Sequence, residues 1–194
     1  MGKRRLGELV DIQVGHAFRT GLEPDPRAPT GVIQMKDLGD DEVVALPTLD
    51  RISLDAPESR RVLRGDVVLR SRGDRTTGAI VADDPGTAIV AAPLLRLRVR
   101  DESLLPEYLC WAVNQPAAQV HLSRRIEGSD VKMLRAEVVE GLQVDVPSLD
   151  RQRRIVELAR LSRREQQLCT LVHSERGRLL ADVMTRYAEE SEAQ

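Results

Sequence analysis

The stretch Arg70-Ser71-Arg72-Gly73-Asp74-Arg75-Thr76-Thr77-Gly78 concentrates the side chains best suited to chemistry, and that chemistry is binding, not bond breaking. Arginines and hydroxyls present donors that reach phosphate oxygens, and a guanidinium can meet guanine O6 and N7 with two bonds at once. Gly73 and Gly78 let a backbone turn tightly and approach another molecule closely. Arg70, Ser71, Arg72, Arg75, Thr76 and Thr77 are therefore the first candidates for a nucleic-acid contact, although the same segment also reads as a solvated polar hairpin loop. Arg124-Arg125-Ile126-Glu127-Gly128-Ser129-Asp130-Val131-Lys132 is the second: Arg124, Arg125, Ser129 and Lys132 stand in a Gly/Ser loop beside an expected helix start, where phosphate can be held. Its plainer reading is a capped turn. Lys36, Arg19 and His16 are weaker candidates.

No catalytic constellation accompanies these segments. His16, His121 and His173 are far apart, and none stands at metal-ligand spacing from a cysteine or a second histidine. The sequence has no GxSxG, phosphate-binding GxxxxGK[ST] or GxGxxG pattern, and no Asn/Asp-Pro-Pro-Tyr/Phe motif of amino-methyltransferases. Asp40-Asp41 and Asp83-Asp84 sit in turn contexts, where paired carboxylates are ordinarily solvated. Cys110 and Cys169 lack a CxxC partner and are expected as small apolar residues, buried or half-buried. The expectation is a non-catalytic chain with no metal and no cofactor of its own.

At 194 residues the chain has room for one ordinary domain and an appendage. Apolar residues make up 41% and charged residues 31%, the balance of a folded domain bearing a well-solvated helix. Aromatic residues at 2% leave too few rings to stack successive bases, so single-strand binding falls in rank. Net charge is −2, and the distribution matters more than the total. Arginines 60, 61, 64, 70, 72 and 75 face only Asp66 and Asp74; Arg124, Arg125, Lys132 and Arg135 face Glu127 and Asp130. With no secretory signal pattern and no apolar run of membrane-spanning length, a cytoplasmic location is expected.

Short strand-like segments punctuate residues 6–100: Val32–Met35, Val67–Leu69, Ala79–Val81, Thr87–Val90 and Leu95–Val99, the last alternating apolar-in and polar-out. Asp83-Asp84-Pro85-Gly86 is a turn, and the proline-rich run Glu23–Gly31 a surface loop. A helix is expected over Pro106–His121, bent or broken at Pro116, with a second short helix around Val131–Val139. A strand over Leu142–Val146 closes the body. A helix then runs over 148–190, about 60 Å at 1.5 Å per residue, capped by Ser148 or Asp150. Leu158, Leu161, Leu168, Val172, Leu179 and Val183 form its narrow apolar seam, interrupted by Glu165 and Glu175, a pattern that asks for a partner helix.

Five segments, in order, carry a family resemblance. Leu142-Gln143-Val144-Asp145-Val146-Pro147-Ser148-Leu149 with Gln152, Ile155 and Val156 resembles the end of a target recognition domain and its spacer helix in the DNA-specificity (S) subunits of Type I restriction-modification systems. Leu6–Ile12 followed by Gly15 is similar to the family's opening, Gly31–Leu38 to its next strand, Leu63–Gly73 to its Gly-Asp segment, and Leu105–Leu109 to a helix start. The resemblance implies an α+β fold: a DNA target recognition domain over 1–147 with a mixed β core, a coiled-coil helix over 148–190, and a tail over 191–194. It further implies double-stranded DNA recognition in phage defence, with catalysis in partners: a methyltransferase subunit that uses S-adenosylmethionine, and an endonuclease subunit. Family members carry two recognition domains and two spacer helices where this chain has one of each, which points to a half-subunit pairing as a homodimer. The rival expectation is a protein-interaction module that docks a methyltransferase through its helix without reading DNA.

Overall fold

A computed structural model describes residues 2–18, 21–73, 76–123 and 133–191, with side chains described to Tyr187. The chain divides into a compact unit, Met1–Val156, and a second, Glu157–Gln194. The α+β class holds.

The compact unit is built on a four-stranded antiparallel sheet in the order β2-β8-β5-β6, formed by β2 (Val10–Val14), β8 (Leu94–Val99), β5 (Val67–Arg70) and β6 (Gly78–Ile80). A three-stranded sheet places β3 (Thr30–Ile33) between β4 (Asp50–Ile52), antiparallel, and β7 (Ala88–Val90), parallel. β1 (Lys3–Arg5) pairs with β9 (Gln143–Asp145), drawing the start of the chain against the strand that precedes the long helix. The short helices are α1 (Leu6–Leu9), α2 (Pro106–Val113), α3 (Pro116–Ser123) and α4 (Ala136–Glu140).

Alternation along the central strands explains the layering. Val67 and Leu69 of β5, with Leu95 and Leu97 of β8, enter a core shared with Leu6, Leu9, Tyr108, Leu109 and Val113 from the helices. Val68 and Leu94 face the opposite way, into a second core with Ile33 and Val90 of the other sheet. The four-stranded sheet is thus buried on both faces, and strands in that position carry apolar residues at consecutive positions. A third cluster, with Val32, Ile52 and Ile89, lies on the far side of the three-stranded sheet.

Two-sided burial overturns one expectation. Strict alternation put Arg96 in solvent, yet it is 3% exposed. Its guanidinium donates to the carbonyls of Ser59 (3.2 Å) and Arg61 (3.1 Å) and to Asp11 (3.1 Å), tying the Glu58–Arg61 segment over the sheet. Other elements shift at their edges. Met35 leaves the expected strand for a 3-10 turn, Met35–Asp37. The short helix forms over Ala136–Glu140 instead of 131–139. Pro116 does break the preceding helix, separating α2 from α3. Cys110 is buried, whereas Cys169 is exposed, contrary to expectation, because it lies in a stretch of helix whose side chains are nearly all in solvent. No helix among the described residues is long and apolar enough to cross a membrane.

Gly15 shows why a residue type is required where β2 ends. A Cβ there would lie 2.5 Å from the Ala91 carbonyl carbon, inside any permissible contact, while Gly15 N–H donates to Leu94 O at 2.8 Å. The long helix α5 (Leu149–Ser191) begins inside the compact unit. Packing there extends past Pro147, since Ile155 and Val156 pack on the helix-facing core. Gln152 is fully buried: its amide oxygen accepts from Leu105 N–H (2.8 Å), and its amide nitrogen donates to the carbonyls of Ser103 (2.7 Å) and Pro147 (2.8 Å). Gln152→Ala strands three backbone groups, each expensive to leave unmade, and should destabilise the protein by about 3 kcal/mol or more. Urea denaturation checks this; a loss below about 1 kcal/mol would show that water replaces the amide.

Candidate nucleic-acid interface

The residues singled out in sequence fall on two connections, and the structure brings described residues at their ends together. β5 runs into the segment that leads to β6; α3 ends at Ser123, and the chain is described again from Met133. Arg72 and Met133 face each other in an antiparallel bridge, and Leu134 N–H donates to Ser71 O at 2.7 Å. On the other side, Gln119 of α3 receives the Thr76 hydroxyl at 2.7 Å and donates to the Thr76 carbonyl at 3.1 Å. Asn114, between α2 and α3, exchanges two bonds with the backbone of Gly78, accepting from its N–H (2.8 Å) and donating to its carbonyl (2.9 Å). Described residues at the ends of the two basic segments therefore meet side by side. Asn114 and Gln119 escaped sequence reasoning, because nothing distinguishes an amide that clamps a distant strand from one facing solvent.

Here the candidates separate by burial. Ser71 is 3% exposed and its hydroxyl donates to the Pro93 carbonyl; Thr76 is 2% exposed. Both build the loop from inside, so neither presents a free donor at the surface. Arg70 is half-buried: it donates to the Met35 (3.2 Å) and Leu38 (2.7 Å) carbonyls and to the Thr77 hydroxyl (3.3 Å), which binds the strand to the 3-10 turn carrying Lys36. The expectation that these residues all offer donors outward is thereby corrected for Ser71, Thr76 and Arg70, because Pro93, Gln119 and the Met35–Leu38 turn lie within bonding distance of them. Gly73 adopts φ +101°, as a tight turn requires, whereas Gly78 is an ordinary strand residue, and a Cβ there would press on Val113 at 3.2 Å.

Arg72 is exposed, at the rim of a concavity of about 480 Å³ that it lines with Val14, Pro93, Leu95, Met133 and Leu134. Lys36 is exposed as well, with its ammonium 2.7 Å from Asp50. That bond raises the pKa of Lys36, and together with a bond from Gln34 it lowers that of Asp50. Lys36 thus stays cationic, and a phosphate must compete with Asp50 to reach it. His16 packs edge-on against Phe18, centroids 4.8 Å apart, with its backbone bridged to Ala91. Arg19, Arg75, Arg124, Arg125, Ser129 and Lys132 lie outside the described residues. Among the described residues no three metal-ligating side chains gather.

At the other end of β5, Asp66 is 1% exposed and takes two bonds from Arg98, at 2.8 and 2.7 Å, while accepting from Leu63 N–H at 2.8 Å. The paired carboxylate raises the pKa of Arg98; burial lowers that of Arg96 alongside it. Leu158, Leu161, Leu168, Val172, Leu179 and Val183 of the second unit are all exposed, between 45% and 70%.

No protein-family model matches the chain, and no curated protein matches it in sequence. Solved structures share its fold. The HsdS subunit from Thermoanaerobacter tengcongensis matches with a TM-score of 0.60 and 22% identity, over 89% of this chain and 40% of that one. A chain from work on complex assembly and conformational transition of the type I R-M system matches at 0.59 and 23%, over 88% and 40%. The Type-I restriction-modification system S subunit from M. genitalium matches at 0.56 and 13%, over 90% and 42%. The chain spans about two fifths of the length of each, and the likeness is one of fold.

Burial predicts how the site residues divide under mutation. Thr76→Val, which removes the donor to Gln119, should cost about 1–2 kcal/mol of stability, while Arg72→Ala should stay within about 0.5 kcal/mol. Denaturant midpoints of the two variants check this, and a large loss for Arg72→Ala would make that arginine structural.

Proposed function

We propose that this chain is the sequence-reading half of a Type I-like specificity subunit, which recognises double-stranded DNA and directs a partner methyltransferase, and where present an endonuclease, to its target. The observation that supports it best is the bridge between Arg72, exposed in the first basic segment, and Met133, where the chain resumes after the second, on a fold that S subunits also have. Arg72 and Arg75, with Arg124, Arg125, Lys132 and Lys36, are the residues we assign to the duplex; Arg70, Ser71, Thr76 and Thr77 hold the loop in shape. The chain supplies no chemistry of its own in this reading.

The exposed seam of α5 supports pairing with a second helix of the same kind. Burying its leucines and valines would contribute on the order of 1.5–3 kcal/mol each before ordering costs. Charge favours an antiparallel pair of copies: residues 149–170 carry six arginines against three carboxylates, and residues 171–191 three arginines against four. A two-fold pair presents the same reading loop twice in opposite orientation, so the target is two inverted copies of one short half-site with an unread spacer.

Three measurements test this reading. Duplex affinity should fall steeply with salt, and Arg72→Ala should weaken binding by roughly 1–3 kcal/mol with a lost base preference, or uniformly with a shallower salt slope if it meets only phosphate. A chain that docks a methyltransferase without reading DNA shows no such slope. Light scattering on Leu168→Glu/Leu179→Glu should return a monomer where the unaltered chain is a dimer, and equal masses exclude the helical pairing. Truncation after Pro147 is the poorer test, because it removes Gln152 from the body. Methylation mapping in a host carrying the complex should show an inverted-repeat target, and an asymmetric bipartite target means that the partner is a different specificity chain.

A further inference from the structure

Beside Arg72 lies an apolar feature that phosphate binding does not use. Arg72 and Met133 are directly opposed in an antiparallel bridge, which sends both side chains to the same side of the ladder. Both line the concavity of about 480 Å³, whose floor is Pro93, Leu95 and Leu134. Val14, where β2 ends, lines it as well. Leu95 and Leu134 are 2% and 1% exposed, but Val14 is 50% and Met133 46% exposed, so two large apolar side chains flank the opening in water.

Charge around this apolar step favours an anionic occupant. Arg72 and Arg135 line it against one carboxylate, Glu137. Arg60 is held next to Val14 by a 3.1 Å bond to the Val14 carbonyl. A polyanion that also offers an apolar group fits both properties. In a DNA duplex the apolar group that base edges expose is the thymine 5-methyl, and it lies in the major groove. An unbranched, polarisable methionine adapts readily to such a group. We infer that Met133, together with Val14 of the same concavity, is a specificity-determining contact that seats the 5-methyl of a thymine, while Arg72 on the same side holds an adjoining phosphate or guanine. The inference rests on the reading above, that this face of the chain meets duplex DNA.

Deletion of the methyl alone tests it. Preferred duplexes are selected with the full chain from a randomised pool, and each thymine of the selected sequence is then replaced in turn by deoxyuridine. One position per half-site should weaken binding roughly fourfold, the equivalent of one buried methyl group. Met133→Ala should bind the thymine and deoxyuridine forms of that position equally, and Met133→Leu should restore the difference. Arg72→Ala should weaken both forms while keeping their ratio. The inference is overturned if no thymine is sensitive in the unaltered chain, if no sequence preference emerges from the pool, or if Met133→Ala keeps the fourfold ratio. Absence of any salt-dependent duplex binding overturns the DNA reading itself, and is distinguished by failing before any base is replaced. The scan of the unaltered chain needs no variant, so a misfolded Met133→Ala leaves the inference decidable.

Discussion

Burial of the four-stranded sheet on both faces is the constraint on which the rest of this molecule depends. A sheet with one wet face can alternate apolar and polar residues freely, but a sheet between two cores must find most of the partners for its polar side chains from within. β8 meets that demand with Arg96, which spreads its donors over Ser59, Arg61 and Asp11, and with Arg98, which closes a two-bond pair on buried Asp66. β5 meets it with Arg70, bonded to the carbonyls either side of the turn that carries Lys36. Arginine suits this work because its planar fork delivers several donors in fixed directions and keeps its charge when half-buried. These bonds also tether the segments that cross the sheet, so polar satisfaction and loop placement are one event.

The candidate interface inherits its rigidity from that arrangement. Ser71 and Thr76 look like surface hydroxyls in sequence, yet each is nearly inaccessible and bonded inward, to Pro93 and to Gln119. The clamp from Asn114 and Gln119 fixes the hairpin to the helices, while the Arg72–Met133 bridge fixes the root of the second basic segment to the first. Sites of recognition work best when the groups that touch the ligand are held by neighbours whose own conformations are locked. Here Arg72 is free to meet a ligand because Ser71 beside it is not.

Gln152 does the corresponding work at the start of the long helix. Its single amide satisfies Leu105, Ser103 and Pro147, joining the α2 entry, the loop before it and the helix start through three bonds in a site closed to water. Beyond Val156 the chemistry changes, because nearly every described side chain lies in solvent and the apolar residues form an exposed seam. A helix of 43 residues with so narrow an apolar stripe draws little stability from itself, and most helical stability in proteins comes from packing.

Local rules determined a good deal of this protein. Proline at 116 breaks a helix whatever its surroundings, Asp83–Gly86 makes a turn, the Leu158–Val183 spacing makes one apolar helical stripe, and the residues that carry the family resemblance mark a fold that the solved S subunits share. Several of those residues prove to be scaffold: Gly15 because a Cβ would strike Ala91, Asp66 because it is the buried partner of Arg98, and Gln152 because it latches the helix start. Only the tertiary structure decided which arginines face water. Arg70, Arg72, Arg96 and Arg98 are chemically alike in sequence, and what separates the last two and Arg70 from exposed Arg72 is that carbonyls or carboxylates of other segments take their donors. Those partners come from residues far along the chain, Leu38 for Arg70 and Ser59 for Arg96, and no local pattern encodes a contact of that range.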